Sequence, residues 1–169
     1  MMGREELWSR IEWQSARGGR VVWLSGDDGV GTSSLIAQAI SAWQQSGHCV
    51  LFADLSSMSD SAEPERTVLL RLLGPHVGQA RSTVSLWRRL EQVLSTTGPE
   101  IRVILDRIEL ARGPGRSVVA TIRHLVTRCR ATLIVVSPRN ESARSRILSS
   151  WADMEIGATE SYGRLERVA

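Results

Sequence analysis

The chain contains no lysine, because all 21 of its basic residues are arginine. Cysteine and most aromatic residues are also scarce: there are two Cys, one Tyr and one Phe beside six Trp. Two cysteines without a motif exclude a disulfide framework and a cysteine-based zinc site, so a reducing, cytoplasmic setting is expected. No apolar run approaches the roughly 20 residues of a membrane-spanning helix, which predicts that no membrane is involved.

Composition is typical of a globular chain that folds as one domain. The 169 residues are 42% hydrophobic and 23% charged, which suits a single sizeable core. We expect one domain over residues 1–169, with an N-terminal helix over 4–17 and a core over 20–168. The formal net charge of +3 comes without a block of like charges, which argues against a nucleic-acid partner. The pair Arg88-Arg89 keeps a nucleic-acid-binding adaptor open as an alternative.

Short apolar runs alternate with helical patterns along the chain. Strands are predicted at Val21–Leu24, Cys49–Ala53, Ile101–Asp106 and Ala131–Val136, with a fifth short strand within 153–168. Helices are predicted at 4–17, 33–45, 64–73, 82–94, 116–128 and 141–151, and a polar loop at 56–63. Strands that alternate with helices indicate an α/β fold, a three-layer αβα sandwich around a mainly parallel sheet.

The first strand runs into a glycine-rich segment, Gly26-Asp27-Asp28-Gly29-Val30-Gly31-Thr32-Ser33. This segment fits the phosphate-binding pattern G-x-x-x-x-G-K-[ST] except that Thr32 stands where lysine is required. Glycines permit a close approach and unusual backbone angles, and the amides that open the next helix would face an anion. Ser33 is positioned to contact Mg²⁺. The residues predicted to bind phosphate are Gly26, Gly29, Val30, Gly31, Thr32, Ser33 and Ser34.

Thr32 removes the side chain that would reach the β- and γ-phosphates. A charge-assisted hydrogen bond of that kind is worth about 1.5–3 kcal/mol, or roughly 10–150-fold in affinity. Because the chain has no lysine, only an arginine, a bound cation or another protein could restore the charge. Arg107 and Arg139 are the candidates within this sequence.

An acid, Asp106, ends the third strand. A carboxylate there can hold the hydration shell of Mg²⁺, although it can equally cap a turn. The next position often carries the acid that activates water, but here it is Arg107. Glu109 could act as the base only if the strand has already bent, because in an extended chain it lies on the face opposite Asp106. After the fourth strand, Ser137 and Arg139 are either γ-phosphate sensors or exposed loop residues.

Together these motifs resemble the core of a P-loop NTPase of the AAA/STAND kind, which includes the NB-ARC-like signalling ATPases. The resemblance covers nearly the whole chain: Gly3-Arg4-Glu5 is similar to the G-R-E box near the adenine, and 26–34 to the phosphate loop. Residues 103–106 resemble Walker B, and 135–140 resemble the segment with the sensor arginine. The resemblance implies a five-stranded sheet of order 5-1-4-3-2 with the site at its carboxyl edge. It also implies ATP with Mg²⁺ as cofactor, with Arg4 and Arg139 as further contacts.

The chain departs from this family at three points. Thr32 replaces lysine, Arg107 replaces the second acid, and no helical lid or winged-helix segment is expected after the core. These departures indicate a catalytically inactive or strongly impaired regulatory module with weak nucleotide binding or no cofactor at all. The alternative is a divergent ATPase that uses arginine in place of the lysine. A protein partner is expected, anchored for example by Trp8 and Trp13, and a homo-oligomer is left open.

Overall fold

The computed structural model describes residues 9–13, 21–26, 31–58, 61–78, 82–97, 100–138 and 154–157. Helix α1 is described over residues 9–13. The other helices are α2 (Thr32–Gln45), α3 (Pro64–Leu73), α4 (Thr83–Thr97) and α5 (Pro114–Arg128). The strands are β1 (Val21–Gly26), β2 (Cys49–Asp54), β3 (Ile101–Asp106), β4 (Thr132–Pro138) and β5 (Met154–Gly157). No helix in these ranges is both long and apolar enough to cross a membrane.

The strands form one sheet in the order β2-β3-β4-β1-β5. Every pairing is parallel, and β1 pairs with β4 along its whole length, from Val21 with Leu133 to Gly26 with Pro138. The α/β fold with a parallel sheet, predicted from the sequence, is confirmed. Because all strands run the same way, the ends of β1, β2, β3 and β4 meet at one carboxyl edge.

Successive side chains of a strand enter two hydrophobic clusters, one on each face of the sheet. On β1, Val21 and Trp23 belong to the cluster covered by α3, α4 and α5. Val22 and Leu24 belong to the cluster covered by α1 and α2. Both faces of β1 are therefore buried, which explains why its first four residues, Val21–Leu24, form an unbroken apolar run rather than an alternating one.

Several elements differ in extent from the sequence-based expectation; β1, β2 and β4, for example, end later than predicted, at Gly26, Asp54 and Pro138. The loop predicted over 56–63 begins with a 3₁₀ turn, Leu55–Met58, because Leu55 and Met58 are buried in the core. Helix α4 continues beyond the predicted end to Thr97. Helix α5 begins earlier, at Pro114, a residue whose fixed φ suits the first helical turn. The helix predicted over 141–151 lies outside the described residues.

Candidate functional site

A cleft of about 460 Å³ opens at the carboxyl edge of the sheet. Its walls combine the start of α2, the ends of β1, β3 and β4, and the turn that follows β3. It therefore brings together most of the described residues that the sequence assigned to phosphate and metal binding. The lining residues are Gly26, Gly31, Thr32, Ser33, Asp106, Arg107, Glu109, Leu110, Val136, Ser137 and Pro138.

Helix α2 presents its first amides at this cleft. Gly31, the N-cap residue, has φ 82° and ψ 26°, a left-handed conformation that glycine adopts without steric cost. No side chain caps this end of the helix, and its first turn contains no acid. The amides that open the helix thus keep their capacity to bind an anion, with Thr32 and Ser33 lining the cleft beside them.

The chain turns sharply where β3 ends at Asp106. Arg107 has φ 58° and ψ 47°, a left-handed conformation that costs a non-glycine residue about 1–2 kcal/mol. Its backbone N–H donates to Asp106 Oδ1 at 2.8 Å. A 3₁₀ turn follows at once, and Glu109 lines the same cleft as Asp106. The bend that a role for Glu109 requires is therefore present, and its role as a base stays a prediction.

A second carboxylate lies beside Asp106 on the neighbouring strand. Asp54 ends β2 and is the register partner of Asp106. Its Oδ1 accepts a hydrogen bond from the Ser56 N–H at 2.8 Å and lies 4.0 Å from Arg107 Nε. Sequence reasoning missed Asp54, although its signal was the one that found Asp106: an acid directly after an apolar strand.

The two carboxyl groups have pKa values shifted in opposite directions. Burial raises the pKa of Asp106, and the charge of Asp54 adds to the rise against the opposing effect of Arg107. Burial also acts to raise the pKa of Asp54, but hydrogen bonds from Ser56 and the charges of Arg107 and Arg71 outweigh it, so this pKa is lowered. On acidification Asp106 is therefore the first of the two to take up a proton.

Ser137 is bonded into the core as well as lining the cleft. It is buried, and its hydroxyl accepts a hydrogen bond from Trp23 Nε1 at 2.7 Å. Trp23 is itself buried, so this bond satisfies an indole N–H that water does not reach. The contact gives Ser137 a structural role that the sequence did not reveal, and sensing of a phosphate by Ser137 stays a prediction.

The other predicted site residues do not join the described lining. Ser34 is exposed on α2 and is not among the residues that line the cleft. The predictions for Arg4, Gly29, Val30 and Arg139 lie outside the described residues.

A Mg²⁺ ion at this cleft would need oxygen ligands from a bound phosphate as well as from the protein. Among the described residues, no group of three or more His, Cys, Asp and Glu side chains could hold a metal ion. Ser33 and Asp106 both line the cleft, and Mg²⁺ is usually held by one or two protein oxygens together with phosphate oxygens and water. Their role as Mg²⁺ ligands stays a prediction.

The basic pair considered for nucleic-acid binding lies on α4. Arg89 Nε donates to the carbonyl oxygen of His76 at 3.0 Å, and its Nη1 donates to Gln92 Oε1 at 2.9 Å. The Arg89 side chain is therefore engaged in hydrogen bonds within the protein, while Arg88 is exposed. Binding of a nucleic acid through this pair stays a prediction.

The fold is shared with solved structures of replication initiators. A DNA replication initiation factor matches with a TM-score of 0.64 and 12% identity over 93% of this chain and 46% of its own. AMPPCP-bound DnaA from Aquifex aeolicus matches with a TM-score of 0.62 and 12% identity, over 94% of this chain and 47% of its own. The ORC1 protein of Aeropyrum pernix, solved in complex with DNA, matches with a TM-score of 0.61 and 19% identity, over 91% of this chain and 44% of its own.

These neighbours define the fold as P-loop NTPase-like, of the kind found in AAA+ ATPase domains. The chain spans a little under half the length of each of them. No protein-family profile and no curated protein sequence matches it. Identities this low establish the fold alone, so kinship with STAND proteins and loss of activity stay predictions. The prediction against nucleic acid gains no support, since one neighbour was solved with DNA.

Proposed function

We propose that the chain is a STAND-like regulatory module that binds a nucleotide weakly, has lost or nearly lost hydrolysis, and acts through protein partners. The observation that carries the proposal is the make-up of the cleft. Open helix amides, Ser33 and Asp106 suit a phosphate with Mg²⁺, whereas Thr32 and Arg107 stand where a hydrolase needs lysine and a second acid. Features that bind phosphate are thus retained while those that speed its transfer are replaced.

Binding in this cleft would rest on the backbone more than on side chains. Thr32 and Ser33 open α2 and line the cleft, so their amides would bind the phosphate oxygens. The Ser33 hydroxyl and the Asp106 carboxylate would hold Mg²⁺, which when bound supplies positive charge between the phosphates. Without the lysine contact we expect an affinity roughly 10–150-fold below that of a complete loop.

Two exposed apolar side chains support the protein-binding part of the proposal. Trp13 on α1 is 55% exposed and Val84 on α4 is 59% exposed. Val84 borders a groove of about 550 Å³ between α4 and α5, whose lining includes Trp87 and Leu125. Tryptophan is enriched at protein interfaces, so these positions are suited to contact a partner's apolar side chains. Trp8 lies outside the described residues.

Calorimetry and a turnover assay on the purified chain test this function. We expect weak binding of ATP·Mg²⁺ that Ser33→Ala removes, and that Ser41→Ala, the same change at an exposed position further along α2, leaves intact. Turnover at about 1 s⁻¹ or faster, abolished by Asp106→Asn, would contradict the loss of hydrolysis. Absence of any binding at millimolar ATP·Mg²⁺ would contradict the nucleotide site.

The bend at Arg107 favours a second candidate function, a divergent ATPase. It places Glu109 in the cleft with Asp106, where its carboxylate could accept a proton from an attacking water. Arg107 would then supply the charge missing at Thr32. In that case Glu109→Gln abolishes turnover and preserves binding of ATP·Mg²⁺. A wild-type chain that binds ATP·Mg²⁺ without turning it over rejects this candidate.

A further inference from the structure

Two arginines in the described part of the chain share an unusual backbone conformation. Arg107 has φ 58° and Arg130 has φ 60°, and they are the non-glycine residues with positive φ in these ranges. Arg130 follows α5, where its N–H donates to Thr127 O at 3.1 Å, and left-handed residues commonly end helices in this way. Arg107 instead follows a strand and lines the cleft. Strain in such a place is characteristic of functional sites.

Arg107 both lines the cleft and pairs with a carboxylate beside it. Its Nε lies 4.0 Å from Asp54 Oδ1, with the two side chains 53% and 30% exposed. Exposed pairs of this kind contribute at most about 1 kcal/mol, so the guanidinium can leave Asp54 at little cost. Among the described residues that line the cleft, Arg107 is the one with a cationic side chain.

We propose that Asp54 competes with a bound polyphosphate for Arg107. Without ligand, Asp54 pairs with the guanidinium beside the cleft. A bound polyphosphate replaces Asp54 as the partner of Arg107, so the strength of the pair with Asp54 sets the affinity of the cleft for polyphosphate. Pairing of β2 with β3 fixes Asp54 next to Asp106, and the left-handed backbone fixes where the Arg107 side chain begins. The planar guanidinium can bind two phosphate oxygens at once, which a carboxylate 4.0 Å away does not match. This inference rests on the proposed phosphate-binding function of the cleft.

The test is a double-mutant cycle with two ligands, ATP·Mg²⁺ and inorganic tripolyphosphate, measured by calorimetry. The proteins are the wild type, Asp54→Asn, Arg107→Gly and the double variant. Asn keeps an oxygen for the Ser56 N–H, and glycine suits the left-handed backbone at 107, so both variants should fold. Arg130→Gly is the matched control, because it makes the same change at the strained arginine outside the cleft lining. Thermal melts verify folding, with Asp54→Ser as a second variant.

Each arm has a defined expectation. Asp54→Asn should tighten tripolyphosphate binding about 2–5-fold, and this gain should vanish in the Arg107→Gly background. Arg107→Gly alone should weaken binding about 10-fold or more, whereas Arg130→Gly should leave it unchanged. A gain that persists without Arg107 would show that removal of a negative charge suffices, which overturns the competition. Absence of any gain overturns it as well.

The two ligands separate this inference from the proposed function. If the wild type binds ATP·Mg²⁺ and Asp54→Asn changes nothing, the function stands and the competition is overturned. If the wild type does not bind ATP·Mg²⁺ but Asp54→Asn binds tripolyphosphate through Arg107, the competition stands and the nucleotide function is rejected. If none of the proteins binds either ligand, both are overturned.

Discussion

Strand β3 has one arginine near its start and another just past its end, and their surroundings are opposite. Arg102 is 3% exposed, and its guanidinium lies 5.9 Å from the ring centroid of Trp43. Burial lowers the pKa of Arg102, and the nearby charges of Glu12 and Glu100 act to raise it. Arg107 has a half-exposed side chain and a left-handed backbone. The same residue type thus supports the core at one edge of the sheet and faces a cleft at the other.

The difference follows from the position of each residue in a parallel sheet. Near the amino edge, helices α1 and α2 cover the face of β3 on which Arg102 lies, and its long aliphatic stem packs among apolar neighbours. At the carboxyl edge the chain leaves the sheet, and side chains there border the cleft that such folds use for ligands. Substitution of Arg102 should therefore change mainly stability, and substitution of Arg107 mainly binding.

The largest expected effect is on stability, from Arg102→Ala. Truncation leaves a cavity beside Trp43 and removes the cation–π contact, so we expect a loss of about 2–4 kcal/mol in the free energy of unfolding. Urea denaturation followed by tryptophan fluorescence measures this loss. Arg102→Met, which keeps most of the volume, should lose less, because an apolar residue of similar size often replaces a buried charge well. Equal losses for both variants would show that the charge itself matters.

The next effect concerns Ser137, which borders the cleft but bonds to the core. Ser137→Ala removes the hydroxyl that accepts the hydrogen bond from the buried Trp23 Nε1, and we expect a loss of about 1–3 kcal/mol in the free energy of unfolding. In a Trp23→Phe background the same change should cost much less, since the donor is gone. Affinity for ATP·Mg²⁺ should stay within twofold by calorimetry. Lost affinity with unchanged stability would instead support the predicted sensor role.

Local sequence patterns sufficed for most of the sheet and for several residues of the cleft. The bounds Ile101–Asp106 and Pro64–Leu73 agree with the prediction to the residue. A proline begins the helix and Gly74-Pro75 follows it, while Gly98-Pro99 precedes the strand and an acid ends it. Gly31 and Ser33 followed from the spacing of the phosphate loop. Asp54 was as accessible to this reasoning as Asp106, but the predicted strand stopped one residue before it.

Features that depend on tertiary contacts were beyond such reasoning. The bond between Trp23 and Ser137 joins residues 114 positions apart and exists only because β1 pairs with β4. The bend that brings Glu109 into the cleft needs a left-handed arginine, a conformation that local preference disfavours. The burial of Arg102 likewise depends on a tertiary contact with Trp43 of α2. A charged residue within an apolar strand does not reveal such a contact.

A smaller effect is expected when the strained arginines are replaced by glycine. Arg130→Gly relieves the left-handed backbone, and after allowance for the flexibility of glycine in the unfolded chain we expect a gain of about 0.5–1 kcal/mol. Arg107→Gly should gain less, because it also loses the exposed pair with Asp54. Thermal melts of the two variants measure the difference. A clear destabilisation by Arg107→Gly would mean that its side chain supports the fold and not only the cleft.

The smallest effects should come from the two carboxyl groups beside Arg107, and they should have opposite signs. The pKa of Asp54 is lowered in the folded state, so its ionisation stabilises the fold above the unfolded-state pKa, and this contribution is lost as pH falls through the folded-state pKa. Asp54→Asn should therefore lower stability at neutral pH, with a deficit that fades in acid.

The pKa of Asp106 is raised, so its ionised form opposes folding, and Asp106→Asn should raise stability at neutral pH, with a gain that also fades in acid. Both changes should stay within about 1 kcal/mol, and urea titrations at a series of pH values measure them. Shifts of the same sign would mean that the Ser56 hydrogen bonds and the positive charges near Asp54 do not outweigh its burial, or that burial does not dominate at Asp106.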